Sequence, residues 1–278
     1  MLRRAVMAAG RNAAMAMSVC ALAGAAWGGG RPVGPLGGLP DTVARVRLGV
    51  GAVGTYNPAN RPPVEFFASG FFIDSRGHFL TANHALEAVA KRRRLEDLRV
   101  FLPSDSDRRG HAAAAVARDP GHDLALLRVE GGDYFPLELG DSTRAREGQA
   151  IALCGFPFGF LLGLHPATSA GIISGICPIA VPAANARLLD PATIEALRHP
   201  YDVFQLDATA HPGHSGGPLF DPRTGKVLGV VNRAHISKTK EKVISTGISY
   251  AMPIHLARRM LDDALKPKAP AGGEGKKP

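Results

Sequence analysis

The 278-residue chain is 45% hydrophobic and 21% charged, with 33 Gly and 22 Pro, and its 33 Lys and Arg against 24 Asp and Glu give a formal charge of +9. Gly and Pro make up about a fifth of the residues, which excludes a bundle of long helices, and the apolar content excludes wholesale disorder. The charge invites a polyanionic partner, yet residues 1–30 hold three Arg and no acid, residues 266–278 hold four Lys against Glu274, and the span between keeps only +3.

Arg3 and Arg4 open the chain as a positive segment, and Ala13 to Ala26 is uncharged and rich in Ala, Met, Val and Leu. Small residues at Ala23-Gly24-Ala25 suit cleavage by signal peptidase, and the apolar run is short of the roughly 20 residues that span a bilayer. Residues 1–26 therefore read as a signal peptide and the protein as exported, periplasmic or secreted. A retained membrane anchor and a mitochondrial transit peptide are the alternatives, and a membrane is a partner only if the segment is kept. Residues 27–42 form a Gly/Pro-rich linker.

Short apolar runs follow, broken by turns. The predicted strands are Val43–Val53, Phe66–Ile73, His78–Thr81, Leu98–Leu102, Ala112–Arg118, Leu124–Val129, Ala150–Leu153, Ala167–Ile176, Phe204–Asp207, Pro218–Phe220, Val227–Asn232 and Ser249–Met252. Turn signals such as Asp74-Ser75-Arg76-Gly77 and Asp221-Pro222-Arg223-Thr224-Gly225 separate them. Many short strands at this spacing predict sandwiches or barrels rather than strand-helix-strand units. Helical patterning occurs at Ala85–Arg94, at Pro191–Arg198 within a long connection, and at Pro253–Leu265, where Ile254, Ala257, Leu261 and Leu265 share a face. The connection 181–203 is either a lid or oligomer contact beside the site, or an inert surface insertion. Residues 266–278 form a basic tail with nothing to bury.

Three places carry chemistry. His84 ends the run Leu80-Thr81-Ala82-Asn83 at the mouth of a helical turn, and a lone His there is more often structural. Asp123 opens the strand Leu124–Leu127 and competes with Asp119 of the same loop. Ser215 lies in His211-Pro212-Gly213-His214-Ser215-Gly216-Gly217. Glycines around a Ser present it on a tight turn and let backbone N–H groups converge, as the oxyanion of acyl transfer requires. His211 and His214 are close, but no further His or Cys with zinc spacing joins them, so neither metal nor cofactor is expected.

Cys154 and Cys177 fall on two strands of one predicted hairpin, Cys154 beside its loop and Cys177 near its far end. About nine residues at 3.3 Å each separate them by roughly 30 Å, far beyond a bridgeable Cα distance of about 7 Å, so both thiols are predicted free and mostly buried.

Several segments together, among them Ala68-Ser69-Gly70-Phe71-Phe72-Ile73, Leu80–His84, Asp123–Leu127, Leu139-Gly140-Asp141-Ser142, Cys154-Gly155-Phe156-Pro157 and Gly247–Pro253, give the stretch from Gly49 to Leu265 a resemblance to trypsin-like serine peptidases. Within these it resembles the HtrA/DegP protease domain. The order His84, Asp123, Ser215 is that of the chymotrypsin-type triad.

The resemblance implies an all-β fold of two six-stranded antiparallel β-barrels with a C-terminal helix: the first barrel at about 43–135, the second at about 136–252 and the helix at 253–265. It implies a serine endopeptidase acting on polypeptides, unfolded or misfolded ones in the cell envelope, with His84, Asp123 and Ser215 as triad and the oxyanion hole at Gly213, His214 and Ser215. Thr209 and His211 are expected at the S1 pocket and Val231, Asn232 and Arg233 along the substrate-pairing strand. With no acid at Thr209, small or medium apolar P1 residues are expected. The family resemblance also implies a homo-oligomer, a trimer. Relatives commonly continue into PDZ domains, and the 13 residues after Leu265 are too few for one, so PDZ-triggered activation is not expected.

Two other readings compete. A catalytically silent or resting-inactive relative would bind peptides as a chaperone-like module. A nucleic-acid binder would use the basic run Lys91–Arg94, but Glu96 and Asp97 follow it and aromatics are only 6% of the chain, so no nucleic-acid partner is expected.

Overall fold

The computed structural model describes residues 36–105, 109–157, 164–179, 200–232 and 249–266. The predicted signal segment, the helix expected at Pro191–Arg198, residues 267–278 of the basic tail and Arg233 lie outside them.

Alternating apolar residues close two six-stranded antiparallel barrels. The first contains β1 (Val50–Tyr56), β2 (Val64–Phe72), β3 (His78–Ala82), β4 (Leu98–Phe101), β5 (His111–Asp119) and β6 (Leu124–Val129), in the order β1-β2-β3-β6-β5-β4. The second contains β7 (Ala150–Gly155), β8 (Ala167–Pro178), β9 (Asp202–Asp207), β10 (Pro218–Phe220), β11 (Val227–Asn232) and β12 (Ser249–Pro253), in the order β10-β11-β12-β9-β8-β7. Closure leaves no strand edge unpaired in either sheet.

Each barrel fills its own interior. Val53, Ala68, Phe72, Phe79 and Leu127 pack in the first, and Ile151, Leu153, Ile173, Phe204 and Leu219 in the second. A third cluster joins them: Val50, Phe71, Leu80 and Leu126 from the first barrel pack with Ala152, Cys154, Phe220 and Val230 from the second. Helix α3 (Arg258–Leu265), entered through a 3-10 turn at Ile254–Ala257, adds Met260 and Leu261 to this cluster and lies against β5.

The segment predicted as strand from Val43 differs. Leu39–Val46 is helix α1, followed by a 3-10 turn at Arg47–Gly49, and the strand begins only at Val50. Gly38 in the left-handed region (φ 80°), Pro40 in the first turn and Asp41 beside it start the helix. The alternation Arg45-Val46-Arg47-Leu48 imitated a strand, while the buried pair Thr42 and Val46 follows the helical period and faces Gly225. The predicted hairpin holds: β7 and β8 pair with Cys154 opposite Thr168, Cys177 lies opposite Val203 on β9, and both cysteines are free. Cys154 is buried, whereas Cys177 is partly exposed.

Candidate active site

The apolar strand β3 ends at Ala82, and helix α2 (Asn83–Arg92) starts at the next residue, which puts His84 in the first turn. Two backbone links fasten that turn to the loop before β6: the Asn83 N–H donates to the Asp123 carbonyl at 3.0 Å, and the His84 N–H donates to Asp123 Oδ1 at 2.8 Å. Asp123 has φ 53°, the one positive value among the non-glycine residues described. A short polar side chain tolerates that conformation at some cost, and residues held this way concentrate at functional sites.

Asp123 Oδ2 lies 2.6 Å from His84 Nδ1 and accepts from Asn232 Nδ2 at 2.8 Å. A carboxylate only accepts, so Nδ1 carries the proton and Nε2 is the accepting nitrogen of the ring. Asn232, expected along the substrate strand, thus acts across the barrels by holding the acid. Asp119 has its own partner: His122 Nδ1 stands 2.7 Å from Asp119 Oδ2, and this hydrogen bond outweighs burial to hold the Asp119 carboxyl below its ordinary 3.8. Tyr201 packs at a tilt on His122, ring centroids 4.5 Å apart, and donates to the Gly121 carbonyl at 2.8 Å. Burial, with Asp123 and Asp119 nearby, pushes its phenol up to about 12, so it remains a neutral donor.

Ser215 sits between β9 and β10 and is 5% exposed. Gly213 (φ 103°) and Gly216 (φ 84°) adopt values that a side chain would resist, and a Cβ on Gly216 would collide with the Ser69 carbonyl and with Thr81 Oγ1. The loop therefore rests directly on β2 and β3 of the first barrel, two residues before the His84 turn begins. The Ser69 N–H donates to the Ser215 carbonyl at 2.8 Å. Within the loop, the Gly217 N–H donates to the His214 carbonyl at 2.9 Å, and the His214 N–H donates to the His211 carbonyl at 3.0 Å. Because N–H and C=O of a trans peptide point opposite ways, a held His214 carbonyl turns the Ser215 N–H outward.

His214 is 1% exposed, and its Nδ1 accepts from the His211 N–H at 3.1 Å. Burial lowers the pKa of the ring, which favours its neutral form. Thr209 and His211 are both exposed at the rim rather than enclosed. Val231 is buried with both backbone groups engaged, accepting from the Gly216 N–H at 2.7 Å and donating to the Gly217 carbonyl at 2.8 Å. Among the described residues no three His, Cys, Asp or Glu side chains converge as metal ligands do, and no helix is long and apolar enough to cross a membrane.

Two closed antiparallel barrels, an acid-held His on one and a glycine-framed Ser on a turn of the other define the chymotrypsin-like class. The chain belongs to the trypsin-like peptidase family, whose domain profile matches residues 68–230 and includes His84, Asp123 and Ser215. A "Probable periplasmic serine endoprotease DegP-like" of a Marinomonas species is 29% identical over 234 residues, covering 84% of this chain and 43% of that protein. A protein of the same description from Pseudomonas putida is 34% identical over 189 residues, covering 68% of this chain and 33% of its own. The chain thus spans less than half the length of these relatives. Among solved structures, the HtrA-type protease AlgW with tripeptide aligns with a TM-score of 0.57 at 25% identity, covering 82% of this chain and 64% of that one.

Proposed function

We propose that this protein is a serine endopeptidase whose triad is His84, Asp123 and Ser215. The observation that carries the proposal is the Asp123 carboxylate, fixed by the His84 ring, the His84 N–H and Asn232, with the nucleophile loop resting on the strands that lead into His84. In the reaction His84 Nε2 takes the Ser215 hydroxyl proton as Oγ attacks the peptide carbonyl, then returns it to the leaving amine. Asp123 orients the ring and stabilises its charged form, and water resolves the acyl-enzyme by the same steps in reverse. The N–H groups of Gly213 and Ser215 serve as oxyanion donors. His214 drops out of that set because its own N–H donates to the His211 carbonyl.

The substrates we infer are unfolded or misfolded polypeptides bound as an added strand near Asn232, with small or medium apolar P1 residues. The relatives named as periplasmic support a cell-envelope location for this chain, and the trimer that the family resemblance implies is part of the same proposal. The test is cleavage of casein together with labelling by a fluorophosphonate. Wild type should do both, and Ser215→Ala should do neither, with turnover reduced by about 10⁶-fold to background. A wild type that binds casein without cleaving it and resists the probe would instead make the protein a silent peptide-binding relative.

A further inference from the structure

Ser69 stands in β2 among Phe66, Phe67, Ala68, Gly70, Phe71 and Phe72 and is completely buried. A hydroxyl in such a strand must find partners, and here every polar group of the residue has one. The N–H donates to the Ser215 carbonyl at 2.8 Å, and the carbonyl accepts from Thr81 Oγ1 at 2.7 Å. The hydroxyl accepts from the Phe156 N–H at 2.8 Å and donates to the Gly213 carbonyl at 2.5 Å. One side chain of the first barrel thereby ties together the end of β7 and the nucleophile loop of the second.

We propose that Ser69 is a positioning residue for the oxyanion hole, acting through the peptide between Gly213 and His214. That peptide is held at both ends, its oxygen by Ser69 Oγ and its N–H by the His211 carbonyl at 3.0 Å. With the plane fixed, only φ and ψ of Gly213 lie between it and the Gly213 N–H that faces the developing anion. Glycine at φ 103° supplies no steric preference of its own, so the clamp sets where that N–H points. Without the hydroxyl, the Gly213 carbonyl loses its donor, and a buried acceptor without a partner drives the peptide to turn. The donor array then forms only part of the time, which costs transition-state binding and leaves ground-state binding of the peptide intact.

The inference rests on the endopeptidase reading, and its test separates the two. Ser69→Ala should lower kcat by about 10- to 100-fold with KM within about twofold of wild type, less than the effect of deleting a donor outright. Affinity for a peptide aldehyde, which needs the oxyanion donors, should fall by the same factor as kcat/KM, while affinity for a non-cleavable peptide of the same sequence should not change. Ser69→Cys, which keeps the volume but is a weak donor, should lie between the two and stands in if Ser69→Ala does not fold. Either folded variant with kcat within about twofold of wild type overturns the inference, as does a parallel loss of aldehyde and non-cleavable peptide binding. A wild type that neither cleaves casein nor reacts with the fluorophosphonate removes the endopeptidase reading and this inference with it.

Discussion

Asp123 carries more of the site than any other single residue: its carboxylate accepts from the His84 ring, the His84 N–H and Asn232, and its carbonyl accepts from Asn83. Asp119, four residues earlier, holds His122 in the same way. The two acids therefore give opposite outcomes. Asp123→Asn should cut kcat by about 10⁴-fold, because the amide favours the wrong His84 tautomer. Asp119→Asn should retain activity within a few-fold. Asp119 does contribute to stability, since its carboxyl titrates below the ordinary value of 3.8. That contribution is present above 3.8 and is lost as pH falls through the depressed folded value. With the pair partly exposed, calorimetry of Asp119→Asn should show a Tm deficit of about 1–3 °C at pH 7 that shrinks as the carboxyl of the wild type becomes protonated in acid. The sequence pointed to His84, Asp123 and Ser215 through the short motif around each and the order in which those motifs fall. Ser69 and Asn232 act across the barrels, at 144 and 109 residues from Gly213 and Asp123, and no local pattern announces that. The one available signal was a hydroxyl inside an otherwise apolar strand, which has to be satisfied by something distant.

Strands were legible wherever alternation and turn signals coincided, and β6 and β10 run over the residues that the sequence assigned. Helix α1 was not, because Arg45, Val46, Arg47 and Leu48 alternate with a period of two, while Thr42 and Val46 repeat with one near 3.6. The β7–β8 hairpin makes an element-level prediction through its cysteines. Burial pushes the Cys154 thiol up to about 11, which leaves almost no thiolate at pH 8, whereas Cys177 is partly exposed. Iodoacetamide on the native protein should therefore label Cys177 and spare Cys154, both should label after denaturation, and non-reducing peptide mapping should find no bridge between them. Native labelling of Cys154 at a rate like that of Cys177 would show that the register or the burial is wrong.

For the molecule as a whole, the third apolar cluster decides how the two barrels behave. Phe71, Leu80 and Leu126 from one and Cys154, Phe220 and Val230 from the other are in one continuous core, and Ser69, Asn232 and Tyr201 add hydrogen bonds across the boundary. Neither barrel can open without exposing that shared surface. Hydrogen exchange followed by mass spectrometry should therefore find the core amides of β3 and β11 released with one free energy, and chemical denaturation should show a single transition. A plateau with one barrel protected and the other exchanged would mean that the barrels are independent. The same partition has a consequence for the newly made chain. In the proposed triad His84 and Asp123 are held on the first barrel and Ser215 on the second, so neither half alone would cut a peptide bond, and the loop carrying Ser215 is clamped only once β2 is in place beneath it. On this reading, a protein that digests unfolded polypeptides acquires its activity only when it has itself ceased to be one, which guards each copy against its own cleft while it folds.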